Sequence, residues 1–345
     1  MEVYAAVLVE PKRPLRIERL GLPALKAGQV LVEIAYGGLC GTQLLEIRGA
    51  KGPDPYLPHV LGHEGVGTVL DVGKQVTKVR AGDRVVLSWI QGCGMDAEPA
   101  QYSSALGRVN AGKVSTFMTH AIVSENRVTP VAQWVPVKEA AIMGCAMLTA
   151  MGMVDRALGV RSGSTLALFG LGGIGLSTAI MARARGAIVF GVDVRETKLH
   201  HAQALGVQHV VNAAKEDPIA RIRALTSDQG VDYAIEAAGD KQAMEAALGV
   251  TRTNGGVCLL AGNVPRGMTL QVDPYDLIRG KRLCGTWGGG AEPDADLSKL
   301  VEVYPIISEQ MSRVITHVFP LHEINCAVVC ASEGLAGRVL LHTVH

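Results

Sequence analysis

The sequence predicts an α/β protein in which a β-rich domain accompanies a doubly wound parallel sheet. Short apolar runs separated by Gly, Pro and Asp fill the first 146 residues. From residue 164 onward, predicted strands alternate with predicted helices, and a glycine-rich loop joins the first of those strands to the first helix. Such alternation is typical of a parallel sheet that carries helices on both faces.

The first region has the residue pattern of β-structure. Residues 30–35 predict a strand, and Gly82-Asp83 predicts a turn that enters a strand at residues 84–87. Residues 91–115 differ, because Gly, Ala, Ser, Asn and Pro dominate them and periodicity is weak. We expect a long excursion loop there, a feature that often carries function.

The second region consists of short apolar runs of strand length and longer stretches of helical composition. Predicted strands cover residues 165–169, 188–193, 209–211, 231–236 and 257–261. Predicted helices cover residues 176–185, 196–205, 219–226 and 241–249. After about residue 287 the chain is expected to return to the first domain.

Length and composition limit the class of protein. A chain of 345 residues is longer than one core usually supports, which predicts two domains. The net charge of +1 gives no electrostatic reason to expect nucleic acid or an anionic membrane as a partner. The N-terminus lacks a secretory pattern, apolar runs are too short to span a bilayer, and seven scattered cysteines predict no disulfide framework. We expect a cytoplasmic protein.

The glycine-rich loop has the Gly-x-Gly-x-x-Gly spacing that a dinucleotide pyrophosphate requires, in the strand–loop–helix context that gives the motif its value. Its glycines are Gly170, Gly172, Gly173 and Gly175. Asp193 ends the next strand, 18 residues after Gly175, where a carboxylate would bind the ribose hydroxyls and repel a 2′-phosphate. The position favours NAD over NADP, although Arg195 is a residue type that accepts such a phosphate.

Cys40, His63 and Cys145 are candidate metal ligands, because two thiolates and one imidazole leave the fourth position of a zinc site open. Taken singly, each of the three is more often a core residue than a ligand. His59 lies four residues before His63, a spacing that suits a metal on a helix, but the neighbouring proline and glycine argue against a helix there. We interpret His59 as a loop residue that does not bind metal.

Taken together, the motifs resemble those of the zinc-dependent medium-chain dehydrogenases of the alcohol dehydrogenase kind, almost from end to end. The matching segments are residues 38–42, 62–67, 82–85, 144–145, 170–175 with Asp193, 236–239 and 315–317. The resemblance implies a GroES-like catalytic domain in two segments, residues 1–146 and 288–345, around a Rossmann domain of residues 147–287. It also implies an active site in the cleft between these domains.

The resemblance also implies a role for each matching residue. It makes Cys40, His63 and Cys145 the zinc ligands, and Glu64 a carboxylate near the metal that coordinates it in some states. It makes Thr42 the hydroxyl that bonds the substrate oxygen and accepts the alcohol proton. The implied cofactor contacts are Thr149 and Ile174 at the nicotinamide, Lys198 near the adenosine and Arg338 at the pyrophosphate.

The implied activity is hydride transfer between an alcohol and NAD(H), with zinc as a Lewis acid on the alcohol oxygen. Trp89 is placed in the wall of the substrate pocket, although core packing explains it equally well. Since aromatic residues make up only 4% of the chain, a small or polar substrate, such as a polyol or sugar-like alcohol, is favoured. The alternatives are a zinc-independent quinone or enone reductase of the same fold and a nucleotide-binding protein without turnover. The intact ligand set and Thr42 argue against both.

The chain departs from the family's pattern at three positions. Gln43 replaces an aspartate that orients the ligand histidine, and we expect its amide oxygen to accept the imidazole N–H while lending less negative charge, which predicts a more electrophilic zinc. Leu45 replaces a histidine of the proton relay and cannot carry a proton. Cys93 is the only cysteine between residues 91 and 115, where many members hold a second zinc with four, so we expect one zinc per chain.

Two further expectations concern the end of the cofactor sheet. Residues 282–287 resemble an edge strand that pairs across a two-fold axis in the family, which predicts a homodimer or homotetramer. The cations Lys281 and Arg282 could equally blunt that edge against pairing. Cys258 and Cys284 lie in apolar runs and are expected to be buried.

Overall fold

The structure, a computed structural model, describes residues 2–265, 267–334 and 337–343. Its backbone contacts divide the chain into two compact units. The first comprises the described residues up to Leu148, Glu292–Tyr304 and the described residues from Ile315 onward, and the second comprises Thr149–Ala291 and Pro305–Val314. The division expected from the sequence placed residues 305–314 in the first domain, whereas their contacts here are with the second unit.

Strands dominate the first 148 residues, because short runs of β-branched and other apolar residues alternate with turn residues there. In chain order the elements are β1 (Val3–Leu8), β2 (Arg16–Leu20), β3 (Gln29–Leu39), α1 (Gly41–Ile47), β4 (His59–Val60), β5 (Glu64–Val72), β6 (Arg84–Ser88), β7 (Gln101–Ser104), β8 (Gly107–Asn110), β9 (His120–Ser124), β10 (Val128–Pro130) and α2 (Val137–Ala141). A π-helical turn, Met143–Met147, follows α2. β1, β2, β4, β7 and β8 form one sheet, and the other strands of this region join a second.

The second unit is a parallel sheet with helices between its strands. Its elements are α3 (Leu148–Met151), β11 (Thr165–Phe169), α4 (Gly173–Ala184), β12 (Ile188–Asp193), α5 (Glu196–Ala204), β13 (His209–Asn212), α6 (Pro218–Leu225), β14 (Tyr233–Glu236), α7 (Lys241–Val250), β15 (Val257–Leu260), α8 (Pro274–Ile278) and β16 (Arg282–Gly285). The strand order is β13-β12-β11-β14-β15-β16, with parallel pairing throughout. The predicted doubly wound sheet is confirmed.

The chain then returns to the β-rich unit and completes its larger sheet. The remaining elements are α9 (Pro293–Val314), β17 (Ile315–Pro320), α10 (Ile324–Ser332) and β18 (Arg338–His342). β3 pairs antiparallel with β5 on one side and with β18 on the other. Because β3 ends where β5 and β18 begin, three segments far apart in sequence meet at one end of this sheet. Among the described residues, no helix has both the length and the hydropathy that crossing a bilayer requires.

Three local expectations need correction. The expected long loop at residues 91–115 contains the antiparallel hairpin of β7 and β8, in which Tyr102 and Val109 are paired and buried. The burial of these two side chains stabilises the hairpin, but the weakly periodic sequence around them does not predict it. His59 belongs to β4, and its Nε2 lies 2.8 Å from an Asp54 carboxylate oxygen. Cys284 is exposed, because it lies on the edge strand β16.

A buried carboxylate, Glu125, anchors the segment that precedes the hairpin. One of its oxygens accepts hydrogen bonds from the backbone N–H groups of Thr77 and Lys78, at 2.7 and 2.8 Å, and the other accepts from Met95 at 2.6 Å. Burial of Glu125 raises the pKa of the carboxyl, but these hydrogen bonds outweigh burial, so the pKa lies below its ordinary value. The ionised carboxylate therefore stabilises the native state.

Replacing Glu125 by Gln is expected to lower the free energy of unfolding at pH 7 by about 2 kcal/mol, because the amide NH₂ meets a backbone donor that it cannot accept from. Since the folded pKa is the lower one, this contribution is full above the ordinary value of about 4.5 and is lost as pH falls through the folded pKa. Urea unfolding of both proteins across this range measures the difference.

Glu302→Gln is the matched control, because Glu302 is exposed in the same unit, and its stability should stay within about 0.5 kcal/mol of wild type. A Glu125→Gln protein as stable as this control at pH 7 would contradict the anchoring role.

Candidate functional site

The three predicted ligands, Cys40, His63 and Cys145, come together in the first unit. Cys40 follows β3, His63 immediately precedes β5, and Cys145 lies in the π-helical turn. Their ligand atoms all lie within 4.8 Å of one another. A tetrahedral zinc ion with ligand bonds of about 2.0 to 2.3 Å separates its ligands by about 3.8 Å. Small side-chain movements would therefore close this group around an ion.

Two glycines bring His63 and Cys145 into position. Gly62, just before His63, has φ of +97°, a left-handed conformation that favours glycine. Gly144, just before Cys145, approaches β6 so closely that a Cβ would collide with the carbonyl oxygen of Leu87. These are the glycines of the two short motifs that contain the ligands.

The chemistry of the three donors fits zinc. His63 Nε2 is buried and has no hydrogen-bond partner among the described residues, as expected of a nitrogen kept for a metal. The neighbouring Cys145 side chain holds the pKa of Cys40 well below its ordinary value, and Cys40 in turn raises the pKa of Cys145. Within the described part of the chain, no other group of three or more His, Cys, Asp or Glu side chains is this close.

Glu64, the fourth predicted ligand, lies outside this group. One of its oxygens pairs with the guanidinium of Arg338, and the other accepts from the backbone N–H of Ala146 at 3.3 Å. Both charged side chains are buried. Burial raises the pKa of Glu64 against the opposing effect of Arg338. Burial lowers the pKa of Arg338, but Glu64 and the cysteines outweigh it and raise that pKa. Coordination by Glu64 and a pyrophosphate contact of Arg338 stay predictions.

Gln43 contacts His63 differently from what the sequence predicts. Its Oε1 accepts the backbone N–H of Cys40 at 3.0 Å, so its Nε2, 2.5 Å from His63 Nδ1, donates to that nitrogen. A metal on His63 Nε2 places the ring proton on Nδ1, where it faces the amide NH₂. Rotating the amide satisfies Nδ1 but turns the NH₂ toward the N–H of Cys40. Gln43 therefore cannot satisfy both neighbours once the metal is bound.

Two more predicted residues border the ligand group. Trp89, half-buried, donates from its indole Nε1 to the Cys145 sulfur at 3.2 Å, and its ring lies 6.2 Å from that of His63. Thr42, near the start of α1, has its hydroxyl 3.9 Å from the Cys40 sulfur. A role of Trp89 in a substrate pocket and a proton-accepting role of Thr42 stay predictions.

A cavity of about 660 Å³ opens beside His63 and Gln43 in the first unit. Its walls include the charged or titratable side chains Glu46, Lys51, Asp54, His59 and Glu98. An ion pair of Lys51 with Glu46 at 2.6 Å and a hydrogen bond between His59 and Asp54 at 2.8 Å order this wall. The cavity therefore offers a mostly apolar surface that carries several charged groups next to the candidate ligands.

The second unit carries the predicted nucleotide-binding residues at the carboxyl ends of its first two strands. Asp193 ends β12; one oxygen accepts from the N–H of Leu171 at 2.9 Å, and Lys198 lies 3.8 Å from the same oxygen. A Cβ added at Gly172 would meet nothing within 4 Å, which leaves open space at the start of α4. The hydroxyl of Thr149 is buried without a partner among the described residues. Ile174, another predicted cofactor contact, lies in the first turn of α4. These features of the second unit fit a dinucleotide.

Sequence reasoning missed several contacts of the site. The Trp89–Cys145 hydrogen bond joins residues 56 apart, and the Glu64–Arg338 ion pair joins residues 274 apart. No local sequence spacing predicts either contact. The sequence nonetheless contained a signal for the Glu64–Arg338 ion pair, because a buried carboxylate next to predicted thiolates requires a cation.

Replacing Gln43 by Glu is expected to tighten zinc binding about tenfold, because a carboxylate of the same length accepts from both Cys40 N–H and His63 Nδ1–H. Competition with a chromophoric chelator measures the affinity. Gln229→Glu, on the surface of the second unit, is the control and should bind zinc as wild type does. Equal affinities of Gln43→Glu and wild type would contradict the conflict inferred at Gln43.

Comparisons with known proteins agree with this geometry. Residues 26–133 match the family model of the alcohol dehydrogenase GroES-like domain, and residues 173–304 match that of the zinc-binding dehydrogenase. Alcohol dehydrogenase class-3 of Dictyostelium discoideum is 30% identical, covering 98% of this chain and 97% of that protein. Alcohol dehydrogenase class-3 of Pisum sativum is 31% identical, covering 98% and 96%.

Solved structures extend the likeness over the whole chain. An alcohol dehydrogenase zinc-binding domain protein from Burkholderia ambifaria is 29% identical with a TM-score of 0.92, and benzyl alcohol dehydrogenase from Acinetobacter calcoaceticus is 28% identical with a TM-score of 0.89. Both alignments cover 100% of each chain. The converging cysteines and histidine, the parallel sheet and these matches show that the chain belongs to the zinc-dependent medium-chain alcohol dehydrogenase family.

Proposed function

We propose that the chain catalyses the NAD(H)-linked, zinc-dependent interconversion of an alcohol and its carbonyl product. The observation that carries this proposal is the convergence of Cys40, His63 and Cys145 within 4.8 Å, with His63 Nε2 buried and unpartnered among the described residues. When bound, zinc would supply a Lewis acid for the alcohol oxygen, and NAD⁺ would accept the hydride.

The chain's own residues would hold the reactants and move the proton. Thr42 would accept the alcohol proton, since its hydroxyl lies at the edge of the ligand group. Leu45, on the same helix, has no group that could pass the proton on. The proton would therefore leave by a route that does not include Leu45. Arg338 would offset part of the negative charge of Glu64 and the two thiolates.

We further propose one zinc per chain and a preference for NAD. Cys93 is exposed, and within the described residues it belongs to no cluster of potential metal ligands. Asp193 supports the preference for NAD, because its carboxylate stands at the end of β12 where a 2′-phosphate would be repelled. Thr149, Ile174 and Lys198 would contact the cofactor. The Nε of Arg338, which has no hydrogen-bond partner in the described part of the chain, would donate to its pyrophosphate.

The substrate we propose is a small or hydroxyl-rich alcohol, or the matching carbonyl compound. The charged side chains in the cavity beside His63 support this class, because hydroxyl groups can form hydrogen bonds with them, and the mostly apolar remainder of the lining suits a small molecule. Trp89 would supply an apolar surface beside the ligands. The matched Acinetobacter calcoaceticus protein is named a benzyl alcohol dehydrogenase, so an aromatic alcohol belongs in the same test panel.

A homodimer or homotetramer and a cytoplasmic location complete the proposal. The edge strand β16 and the neighbouring side chains of Tyr275, Ile278 and Trp287 are exposed, which supports association of two sheet edges. Sedimentation velocity would detect a dimer or larger species, and a monomer would contradict association. Free cysteines throughout the described residues fit a reducing compartment, which cell fractionation tests.

The test of the function is NADH formation from a panel of aliphatic, aromatic and polyol alcohols, run with NAD⁺ and NADP⁺ alongside zinc analysis. We expect one zinc per chain, activity with NAD⁺ above that with NADP⁺, and loss of activity in Cys145→Ser together with its zinc. Quinone reduction that survives loss of zinc would favour a metal-independent reductase. Cofactor binding without turnover of any alcohol or carbonyl compound would favour a non-catalytic protein.

Replacing Thr42 by Val is expected to lower kcat by about 100-fold or more while zinc content stays at the wild-type level, because the variant keeps its shape but loses the hydroxyl. Thr42→Ser, which retains the hydroxyl, is the matched control and should keep most of the activity. Steady-state rates and metal analysis on the same preparations provide the comparison. A Thr42→Val enzyme as fast as Thr42→Ser would exclude the proposed proton acceptor.

A further inference from the structure

We propose that Trp89 is a positioning residue that tunes the candidate metal through Cys145, by donating its indole N–H to the ligand sulfur. The inference rests on the zinc site of the proposed function and adds to it a determinant of the metal's electrophilicity. The main evidence for the inference is the distance of 3.2 Å between Trp89 Nε1 and Cys145 Sγ. A residue that merely fills space beside the ligands would not need its one polar atom there.

The backbone on both sides of this contact is fixed. Ser88, the residue before Trp89, donates from its hydroxyl to the carbonyl of Gly144 at 2.5 Å, and that hydroxyl accepts from Ile90 N–H at 3.0 Å. The residues before Trp89 and before Cys145 are therefore tied directly together. The carbonyl of Trp89 accepts from Arg127. The indole N–H is thus aimed at the sulfur by a local hydrogen-bond network.

The chemistry of the contact has a definite direction. An indole nitrogen only donates, and a thiolate is a strong acceptor whose bond to N–H is charge-assisted. Electron density drawn toward that N–H is no longer available to a metal on the same sulfur. Partners of ligand atoms adjust the electrophilicity of an ion in this way. Trp89 would therefore leave the metal a stronger Lewis acid than a free thiolate would.

The other two ligands have polar neighbours of a different kind. Before a metal binds, the Gln43 amide donates to His63 Nδ1, and the Arg338 guanidinium places a positive charge near Cys40. The Trp89 contact differs from both, because an indole N–H can keep donating to a sulfur that binds a metal. Trp89 is neutral, so replacing it by another neutral residue leaves the charge of the site unchanged.

The test uses the full-length protein loaded with Co²⁺, whose thiolate-to-metal charge-transfer absorption reports the electron richness of the sulfur ligands. In Trp89→Phe the ring remains but the donor is lost, so the charge-transfer band is expected at longer wavelength than in wild type. Trp134→Phe is the matched control, because Trp134 is an exposed tryptophan of the same unit that packs against Tyr304. Its band should coincide with that of wild type.

A second measurement needs no variant and so survives a folding failure of Trp89→Phe. With ¹¹³Cd in the wild-type protein, the three tryptophans give three indole N–H signals, and one of them should show scalar coupling to the metal through the hydrogen bond. A bound ion with no such coupling, or an unshifted Co²⁺ band in Trp89→Phe, would overturn the role of Trp89 alone. Failure of wild type to bind Co²⁺ through thiolates would overturn the zinc proposal as well.

Discussion

Two thiolates and a carboxylate cannot share a buried space without a cation, and the guanidinium of Arg338 is the cation that this fold supplies. It lies against Glu64, and Glu64 and both cysteines favour its charged form. Arg338 begins β18, which pairs with the end of β3, next to Cys40. The ligand group is built from the first 145 residues, but it depends on the cation that β18 brings when the chain returns to the first sheet.

The polar neighbours of the ligand atoms also affect how strongly those atoms can donate electrons to a metal. The Cys145 sulfur accepts from the Trp89 indole, and before a metal binds the Nδ1 of His63 accepts from Gln43. Gln43 illustrates the consequence, because one amide serves both the helix start at Cys40 and the ring of His63. A carboxylate in its place would serve both as an acceptor. The amide therefore lends less negative charge to His63 than a carboxylate would.

Much of this could be predicted from the sequence, because the decisive signals were local. Continuous apolar runs and one glycine loop identified the parallel sheet, and short motifs around Cys40, His63 and Cys145 identified the ligand group that the structure brings together. The hairpin at residues 101–110 was missed, since its buried residues are too few to create periodicity. Contacts between distant segments, such as Trp89 with Cys145, depend on strand register, which no local pattern encodes.

The anchoring of residues 77–95 by Glu125 has a consequence for the durability of the protein. The described bonds that hold this segment join a carboxylate to backbone amides, so they contain neither an exchangeable ion nor an oxidisable sulfur. Loss of zinc or oxidation of the ligand thiols would therefore leave these three bonds in place. A protein supplied again with metal and reductant would still have this segment held at Thr77, Lys78 and Met95.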